Sequence, residues 1–307
     1  MGRNQELLDA LSKTISDAEG REISVSSCGG HGSFFSGGGA STCSVQDENT
    51  GQKYFVKVGS TRQYDMLKAE YIGVREMYNT KTIRVPKAIG HGSTATQAYA
   101  VFEHLNLSGS RRGGRAYEMG EKLAAMHRHT SANGCFGFDI PNTCGVTPQP
   151  NEWTESWPVF FDTYRLHNLF ERLRKKRGIT FAKEEEVRSK IKSVLEDHVA
   201  KHNPPASLVH GDLWTGNAGF LDTGEGCIYD PACAYCDREY DLAMTHLFGS
   251  LPRPFYEGYE KAWPLPKDGQ QQRQEIYNLY HVLNHALVFG GGYVQQAEAM
   301  MDEILTY

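Results

Sequence analysis

The stretch from residue 208 to residue 217 places an aspartate and an asparagine five positions apart, in the sequence Leu-Val-His-Gly-Asp-Leu-Trp-Thr-Gly-Asn. An aspartate that accepts a hydroxyl proton, with an asparagine at this distance that binds Mg²⁺, is typical of phosphoryl transfer from ATP. We therefore predict Asp212 as a general base and Asn217 as a Mg²⁺ ligand. Asp230 follows the next predicted strand and is the expected second ligand, because Mg²⁺ prefers oxygen donors. In the alternative, both aspartates are turn residues and Asn217 is a helix cap.

A lysine and a glutamate in the first third of the chain form a second candidate pair. Lys57 lies inside a predicted apolar strand, where an unpaired ammonium would cost several kcal/mol. Glu70 lies between Leu67 and Val74 on the inner side of a predicted helix. We predict that the two pair and that Lys57 meets the phosphates of a nucleotide. The alternative is a purely structural salt bridge.

Glycine accounts for 32 of the 307 residues, and six of the eleven residues from 29 to 39 are glycine. Glycine lets backbone amides approach a phosphate closely, so this loop is predicted to cover a nucleotide through Gly29, Gly30 and Gly32. A flexible surface hairpin is the alternative. The loop does not have the Gly-x-x-x-x-Gly-Lys-Ser/Thr pattern of P-loop ATPases.

The amino-acid composition narrows the classes of molecule that the protein is expected to bind. With a net charge of −5 the chain has no global attraction for nucleic acid or anionic lipid. Its apolar runs are far shorter than the ~20 residues of a membrane-spanning helix, and the first residues do not read as a secretory signal. Seven scattered cysteines give no disulfide framework, which favours the cytoplasm or a reducing organelle.

The element pattern changes near residue 105, so we divide the chain into an N-terminal lobe, 1–104, and a C-terminal lobe, 105–307. The first lobe is predicted to hold strands at 22–26, 51–58 and 98–103, an edge segment at 84–86 and a helix at 62–79. The second is predicted to be helical at 116–129, 157–177, 184–202, 241–248, 255–262 and 270–289, with two short strands at 207–209 and 227–229. Asp241 is interpreted as a helix N-cap, as a brace for the Asp212 loop, or as both.

Several further stretches carry a family resemblance over nearly the whole chain. They are Glu103-His104-Leu105, Asn151-Glu152-Trp153, Trp157-Pro158, the loop with Trp214, Tyr229-Asp230-Pro231-Ala232, Leu247-Phe248-Gly249 and Leu283-Asn284-His285. Together with the lysine strand they resemble the fructosamine/ketosamine-3-kinase family, a branch of the protein-kinase-like small-molecule phosphotransferases.

The resemblance implies an α+β fold with two lobes: a small antiparallel sheet with a helix, and a mostly helical catalytic lobe. It implies that Glu103, His104 and Leu105 form the hinge that binds the adenine of ATP, and that Asp212 deprotonates the 3-hydroxyl of a ketosamine. Trp214 would face the sugar and His285 would be a second substrate contact. The partners would be ketosamine small molecules or glycated lysines on proteins, and the outcome would be deglycation.

The sequence is compatible with more than one substrate class and more than one state of assembly. A related kinase of aminoglycosides, choline or amino-alcohols shares the same fold, and a non-catalytic nucleotide-binding scaffold is a further alternative. The glycine-rich loop departs from the family pattern, with Cys28 and Cys43 on its flanks. A redox switch at these cysteines, and a monomer or a redox-dependent dimer, are both compatible with the sequence.

Overall fold

The computed structural model describes residues 3–28, 39–107 and 115–307. The first part of the chain contains a five-stranded antiparallel sheet with strand order β1-β2-β3-β5-β4. Its elements are α1 (Arg3–Glu19), β1 (Val25–Ser27), β2 (Ser41–Asp47), β3 (Lys53–Ser60), α2 (Tyr64–Asn79), β4 (Ala88–Ser93) and β5 (Gln97–Glu103).

The two faces of this sheet are covered by different helices. Alternate residues of β3 point in opposite directions. Tyr54 and Val56 pack with Leu11 and Ile15 of α1 in one apolar cluster. Phe55 packs in a second apolar cluster, which contains residues of α2. Lys57 is on the same face as Phe55, so the alternation of the strand turns its side chain towards α2.

The predicted strands at 51–58, 98–103 and 22–26 correspond to β3, β5 and β1, and the predicted helix at 62–79 corresponds to α2. The edge segment predicted at 84–86 is wrong. Arg84 makes one isolated bridge to Cys227, and the edge strand that follows α2 is β4 instead. Pro86 lacks the backbone N–H that pairs one strand with the next. Gly90 and Gly92 weaken the strand signal of β4. The sequence reading also missed α1 and β2.

The part from residue 115 onward is mainly helical. Its helices are α3 (Ala116–His127), α4 (Trp157–Phe160), α5 (Asn168–Arg177), α6 (Glu184–His202), α7 (Glu239–Leu247), α8 (Arg253–Ala262), α9 (Gln270–Phe289) and α10 (Gly292–Ile304). A π-helical segment, Phe161–His167, joins α4 to α5. All six predicted helices are therefore present, the second of them as this composite helix. The helix α10 was missed, because the glycines at 290–292 look like the end of the chain's last helix.

Between residues 115 and 307 the structure has six short strands, not two. They are β6 (Asn142–Cys144), β7 (Thr147–Gln149), β8 (Ser207–Val209), β9 (Ala218–Phe220), β10 (Gly226–Ile228) and β11 (Ala234–Cys236). They form three antiparallel pairs, β6 with β7, β9 with β10, and β8 with β11. Three-residue strands are too short for an alternation signal. Both ends of the Asp212 loop are nevertheless fixed by these strands, since β8 precedes it and β9 follows it.

Two general findings concern the described residues. None of their helices has the length and hydropathy that a bilayer crossing requires. The seven cysteines all fall within the described ranges and are free thiols. The lobe boundary at residues 104 and 105 stays a prediction, placed just after the end of β5.

Candidate active site

Lys57 sits between two carboxylates. Its Nζ lies 2.8 Å from Oε1 of Glu70 on α2 and 2.9 Å from Oδ1 of Asp230, so the predicted Lys57–Glu70 pair is present. The side chains of Lys57 and Glu70 are only 13% and 15% exposed. Burial lowers the pKa of Lys57, but the two neighbouring carboxylates outweigh burial and leave that pKa above its usual value. The lysine is therefore a fixed positive charge at the junction of the two parts of the fold.

The loop after β8 brings Asp212 and Asn217 together with Asp230. Nδ2 of Asn217 donates to the backbone oxygen of Asp212 at 2.9 Å and to its Oδ2 at 3.3 Å. The same nitrogen lies 3.4 Å from the backbone oxygen of Asp230, and the backbone nitrogen of Tyr229 donates to the oxygen of Asn217 at 3.0 Å. The two acidic loops are thus joined by one amide side chain.

A buried aspartate on α7 holds the beginning of this loop. Oδ2 of Asp241 accepts from the backbone nitrogen of His210 at 2.6 Å, and Oδ1 accepts from that of Gly211 at 2.8 Å. His127 on α3 lies 3.1 Å from Oδ2. The bracing role predicted for Asp241 is confirmed, whereas the N-cap interpretation is wrong, because the N-cap of α7 is Arg238.

Gly211 is required where the loop turns. Its φ is +82°, a conformation that only glycine adopts readily, and a Cβ there would lie 2.1 Å from the backbone oxygen of Ala232. This close approach lets the loop of Asp212 lie directly against the loop of Asp230.

The carboxyl group of Asp212 has an altered pKa. Burial raises it to about 7, the charge of Asp230 adds to the rise, and hydrogen bonds from Cys144 and Asn217 oppose it. A carboxyl group that titrates near neutral pH has the basicity that a general base needs.

These residues line one cavity of about 520 Å³ between the sheet and the helical part. Lys57, Glu70, Asp212, Asn217 and Asp230 all contribute to its wall. The cavity also includes both residues for which the resemblance implied substrate contact, Trp214 and His285.

Aromatic side chains form the outer part of this cavity. Trp214 is 38% exposed and stands edge-on to Phe248 at 6.4 Å between ring centroids. The ring of His285 lies 4.5 Å from Phe248 and 5.0 Å from Tyr293, and its Nδ1 donates to the oxygen of His281 at 2.8 Å. Phe289 is 57% exposed, so apolar surface is available to a substrate at the mouth.

Other predicted residues are placed differently. The carboxylate of Glu103 pairs with Arg84 and accepts from the backbone nitrogen of Lys87 at 3.0 Å. It lines a second cavity of about 570 Å³ and not the cavity of Asp212. His104 and Leu105 are half-buried and do not line the Asp212 cavity. Gly29, Gly30 and Gly32 lie outside the described residues.

Among the cavity-lining residues that sequence reasoning missed are Cys144 and Asn284. Cys144 lies on the β6–β7 hairpin, and the amide of Asn284 on α9 lies 3.4 Å from its Sγ. Thr147 donates to the other end of that amide. Asn284 stands beside His285 in a stretch already singled out, whereas Cys144 lies in no chemical motif and could be found only from the three-dimensional structure.

The residues proposed for Mg²⁺ fit that ion in their chemistry. Nδ2 of Asn217 is committed to three oxygen atoms, which leaves its amide oxygen as the atom for a cation. Lys57 contacts one carboxylate oxygen of Asp230, and the Asp230 side chain is 44% exposed. Both residues offer hard oxygen ligands, and Mg²⁺ takes one or two of these together with phosphates and water.

Comparison with known proteins places the chain in a family. The fructosamine kinase model matches residues 8–307. A probable ketoamine kinase of Synechocystis sp. is 46% identical over 263 residues, which cover 86% of this chain and 85% of that protein. The chloroplastic protein-ribulosamine 3-kinase of Arabidopsis thaliana is 34% identical over 272 residues, 88% of this chain and 81% of the relative.

A solved structure agrees with these sequence matches. The crystal structure of a candidate fructosamine-3-kinase from Haemophilus somnus has a TM-score of 0.84 and 27% identity, and the match covers 98% of this chain and 99% of that one. The predicted two-lobed, protein-kinase-like α+β architecture is confirmed. The chain belongs to the fructosamine kinase family.

Proposed function

We propose that the protein transfers the γ-phosphoryl group of ATP to the 3-hydroxyl of a ketosamine. The observation that carries the proposal is the shared cavity, in which Asp212 lies beside Asn217 and Asp230 and opposite the Lys57–Glu70 pair. Membership of the fructosamine kinase family favours a ketosamine over other acceptors.

Each residue has a proposed role in the transfer. Asp212 takes the proton of the 3-hydroxyl while that oxygen forms its bond to the γ-phosphorus and the bond to the leaving ADP breaks. Lys57, held by Glu70, balances the negative charge of the phosphates. Asn217 and Asp230 would hold Mg²⁺, which when bound neutralises phosphate charge. Most of the rate enhancement then comes from positioning and charge, and general base assistance adds a factor of ~10²–10⁴.

The remaining family-derived roles belong to the same proposal. The backbone of Glu103, His104 and Leu105 would bind adenine, and the glycine-rich loop with Gly29, Gly30 and Gly32 would cover the phosphates. Trp214 and His285 would contact the sugar. Phosphorylation at the 3-hydroxyl leads to release of the free amine, so the biological role would be repair of glycated lysines or of free ketosamines. Seven free thiols favour the cytoplasm or another reducing compartment.

A substrate panel tests this proposal. The protein with Mg-ATP is offered a ribulosamine, a fructosamine, choline and an aminoglycoside, and ADP release is measured. We expect turnover with at least one ketosamine and loss of that turnover in Asp212→Asn. Turnover of choline or the aminoglycoside alone would assign another small-molecule kinase, and ATP binding with no turnover would assign a scaffold.

A further inference from the structure

Three side chains of different chemistry converge at the wall of the cavity, and two of them line it. They are Cys144 on β6, Asp212 on the loop after β8, and His281 on α9. One ligand atom from each, a thiol sulfur, a carboxylate oxygen and a ring nitrogen, lies within 4.8 Å of the other two. These residues come from three separate elements, so the convergence is a product of the tertiary fold.

His281 provides an independent observation. It is 1% exposed, and neither of its ring nitrogens has a hydrogen-bond partner among the residues that the structure describes. A buried polar group without a partner costs free energy, and such groups are uncommon in native proteins. Burial also lowers the pKa of His281 to about 3. The ring is therefore neutral at physiological pH, and neutral imidazole is the form that binds metals.

We propose that Cys144, Asp212 and His281 form a binding site for a thiophilic divalent cation such as Zn²⁺. Zinc combines thiolate, imidazole and carboxylate ligands in a tetrahedral arrangement, and a site with three protein ligands leaves the fourth position open. Bonds of about 2.3 Å to sulfur and 2.0–2.1 Å to nitrogen place those two atoms about 3.5 Å apart. The sulfur and the nitrogen must therefore approach each other by at most about 1.3 Å.

The charges of the site suit this ion. Thiolate and carboxylate supply two negative charges, which balance the two positive charges of zinc. Burial raises the pKa of the Cys144 thiol well above its ordinary value, so binding must release the thiol proton to solvent. Asn284 contacts Sγ of Cys144 through its amide nitrogen and would orient the sulfur without binding the metal itself.

This site differs from the one proposed for Mg²⁺. Soft sulfur and imidazole ligands select zinc-like ions, whereas the oxygen ligands of Asn217 and Asp230 suit Mg²⁺. The structure describes one other buried group of this kind, His198 with Asp237 and Glu239. There Arg273 already binds Glu239 through two nitrogens, at 3.0 and 3.1 Å, so a cation occupies that position.

The consequence for activity rests on the proposed function of Asp212. A cation bound to its carboxylate removes the base that the acceptor hydroxyl needs. Because Asp212 is shared and the Lys57–Glu70 pair is not, zinc is expected to inhibit the transfer without preventing ATP binding. The site would therefore make the enzyme sensitive to free thiophilic metal.

Direct metal binding tests the site without relying on activity. Full-length, metal-free protein is titrated with Co²⁺ and absorption is followed in the near ultraviolet, where thiolate coordination gives a charge-transfer band; Zn²⁺ is then added in competition. We expect one thiolate-bound ion per chain. Cys144→Ser and His281→Gln should each weaken binding at least tenfold and Cys144→Ser should abolish the band. The matched controls are Cys135→Ser and His246→Gln, in residues outside the cluster. They should leave the metal affinity and the charge-transfer band unchanged.

The outcomes separate the two proposals. Absence of the band in wild-type protein, or an equal band in Cys144→Ser, would overturn the metal site. Circular dichroism shows whether each variant is folded. If Cys144→Ser or His281→Gln does not fold, Asp212→Asn replaces the third proposed ligand and serves as the test variant. Inhibition by Zn²⁺ is measured relative to each variant's own activity without zinc. A metal-binding protein with no turnover on any acceptor would refute the proposed function while leaving the site standing.

Discussion

Oδ2 of Asp241 accepts a 2.6 Å hydrogen bond from the backbone nitrogen of His210, two residues before Asp212. With the second bond from Gly211 to Oδ1, both carboxylate oxygens of a fully buried residue are used to hold the loop. In Asp241→Asn one oxygen is replaced by a donor that faces a backbone donor. We expect a loss of about 1–3 kcal/mol in the free energy of unfolding and a fall in kcat of up to about 10²-fold.

Denaturant unfolding and steady-state kinetics measure the two effects of Asp241→Asn. The matched control is Asp197→Asn, because Asp197 is exposed and pairs with Lys201 on the same helix. The control should differ little from wild type in either measurement. Unchanged kcat in a destabilised Asp241→Asn protein would show that Asp241 supports the fold but does not position the loop for transfer.

The burial of Asp212 predicts a conflict between activity and stability. The pKa of an ordinary aspartate is 3.8 and that of Asp212 is about 7, so the folded state binds more protons than the unfolded state between these values. Stability must therefore decrease as pH rises from about 4 to about 7, by at most about 4 kcal/mol from this group. Asp212→Asn removes the titration and is expected to be more stable than wild type at pH 8.

Thermal unfolding in EDTA at pH 5 and pH 8 measures this difference. The increase in melting temperature of Asp212→Asn over wild type should be larger at pH 8 than at pH 5. The turnover of Asp212→Asn should fall by ~10²–10⁴-fold. An equal difference at the two pH values would contradict a raised pKa. The exposed-site variant Asp197→Asn again serves as the control for an Asp-to-Asn change.

Substitution of Lys57 is expected to distinguish its effect on stability from its effect on turnover. Lys57→Met leaves Glu70 and Asp230 without the cation between them, and breaking a buried pair on one side costs about 3–5 kcal/mol. The double variant Lys57→Met/Glu70→Gln removes the unpaired buried charge and should recover most of the lost stability. Neither variant should recover turnover, because the phosphate contact proposed for Lys57 is missing in both. Recovery of activity in the double variant would refute the role of Lys57.

The sequence predicted which side chains meet at the candidate site better than it predicted their surroundings. Asp212, Asn217 and Asp230 are close in sequence, and the chain between them is short, so spacing alone brings them together. Lys57 and Glu70 were found because a lysine on an apolar strand requires a buried partner. Each prediction relied on local spacing or on one strong physical penalty.

The features that the sequence did not predict depend on contacts between distant segments. Cys144 and His281 meet only because the β6–β7 hairpin packs against α9, and neither element carries a motif for that contact. The short strands β6 to β11 gain their pairing from the packed core and not from intrinsic propensity. The helix α1 was missed because its role, to cover the second face of the sheet, is visible only once the sheet is known.

Two glycines fix the crossing of α3 and α8. A Cβ on Gly258 would lie 2.0 Å from the backbone oxygen of Tyr117, and one on Gly120 would lie 2.0 Å from that of Phe255. Gly258→Ala must therefore separate two backbones, and we expect a loss of about 1–3 kcal/mol in unfolding free energy. Gly292→Ala, with no atom within 4 Å of the added Cβ, is the matched control. Equal stability of the two variants would exclude the close crossing.

The mouth of the cavity predicts how acceptor binding depends on Trp214. The indole lines the cavity and is partly exposed, so a sugar ring can pack on it without displacing protein. Aromatic contacts contribute about 0.5–1.5 kcal/mol, so Trp214→Ala should raise KM for the ketosamine by about 2–13-fold and leave KM for ATP unchanged. Tyr117→Ala is the control, because Tyr117 is equally exposed at 40% but lies outside the cavity. If Trp214→Ala instead lowered kcat with KM unchanged, the indole would act on the geometry of the Asp212 loop and not as a surface for the sugar.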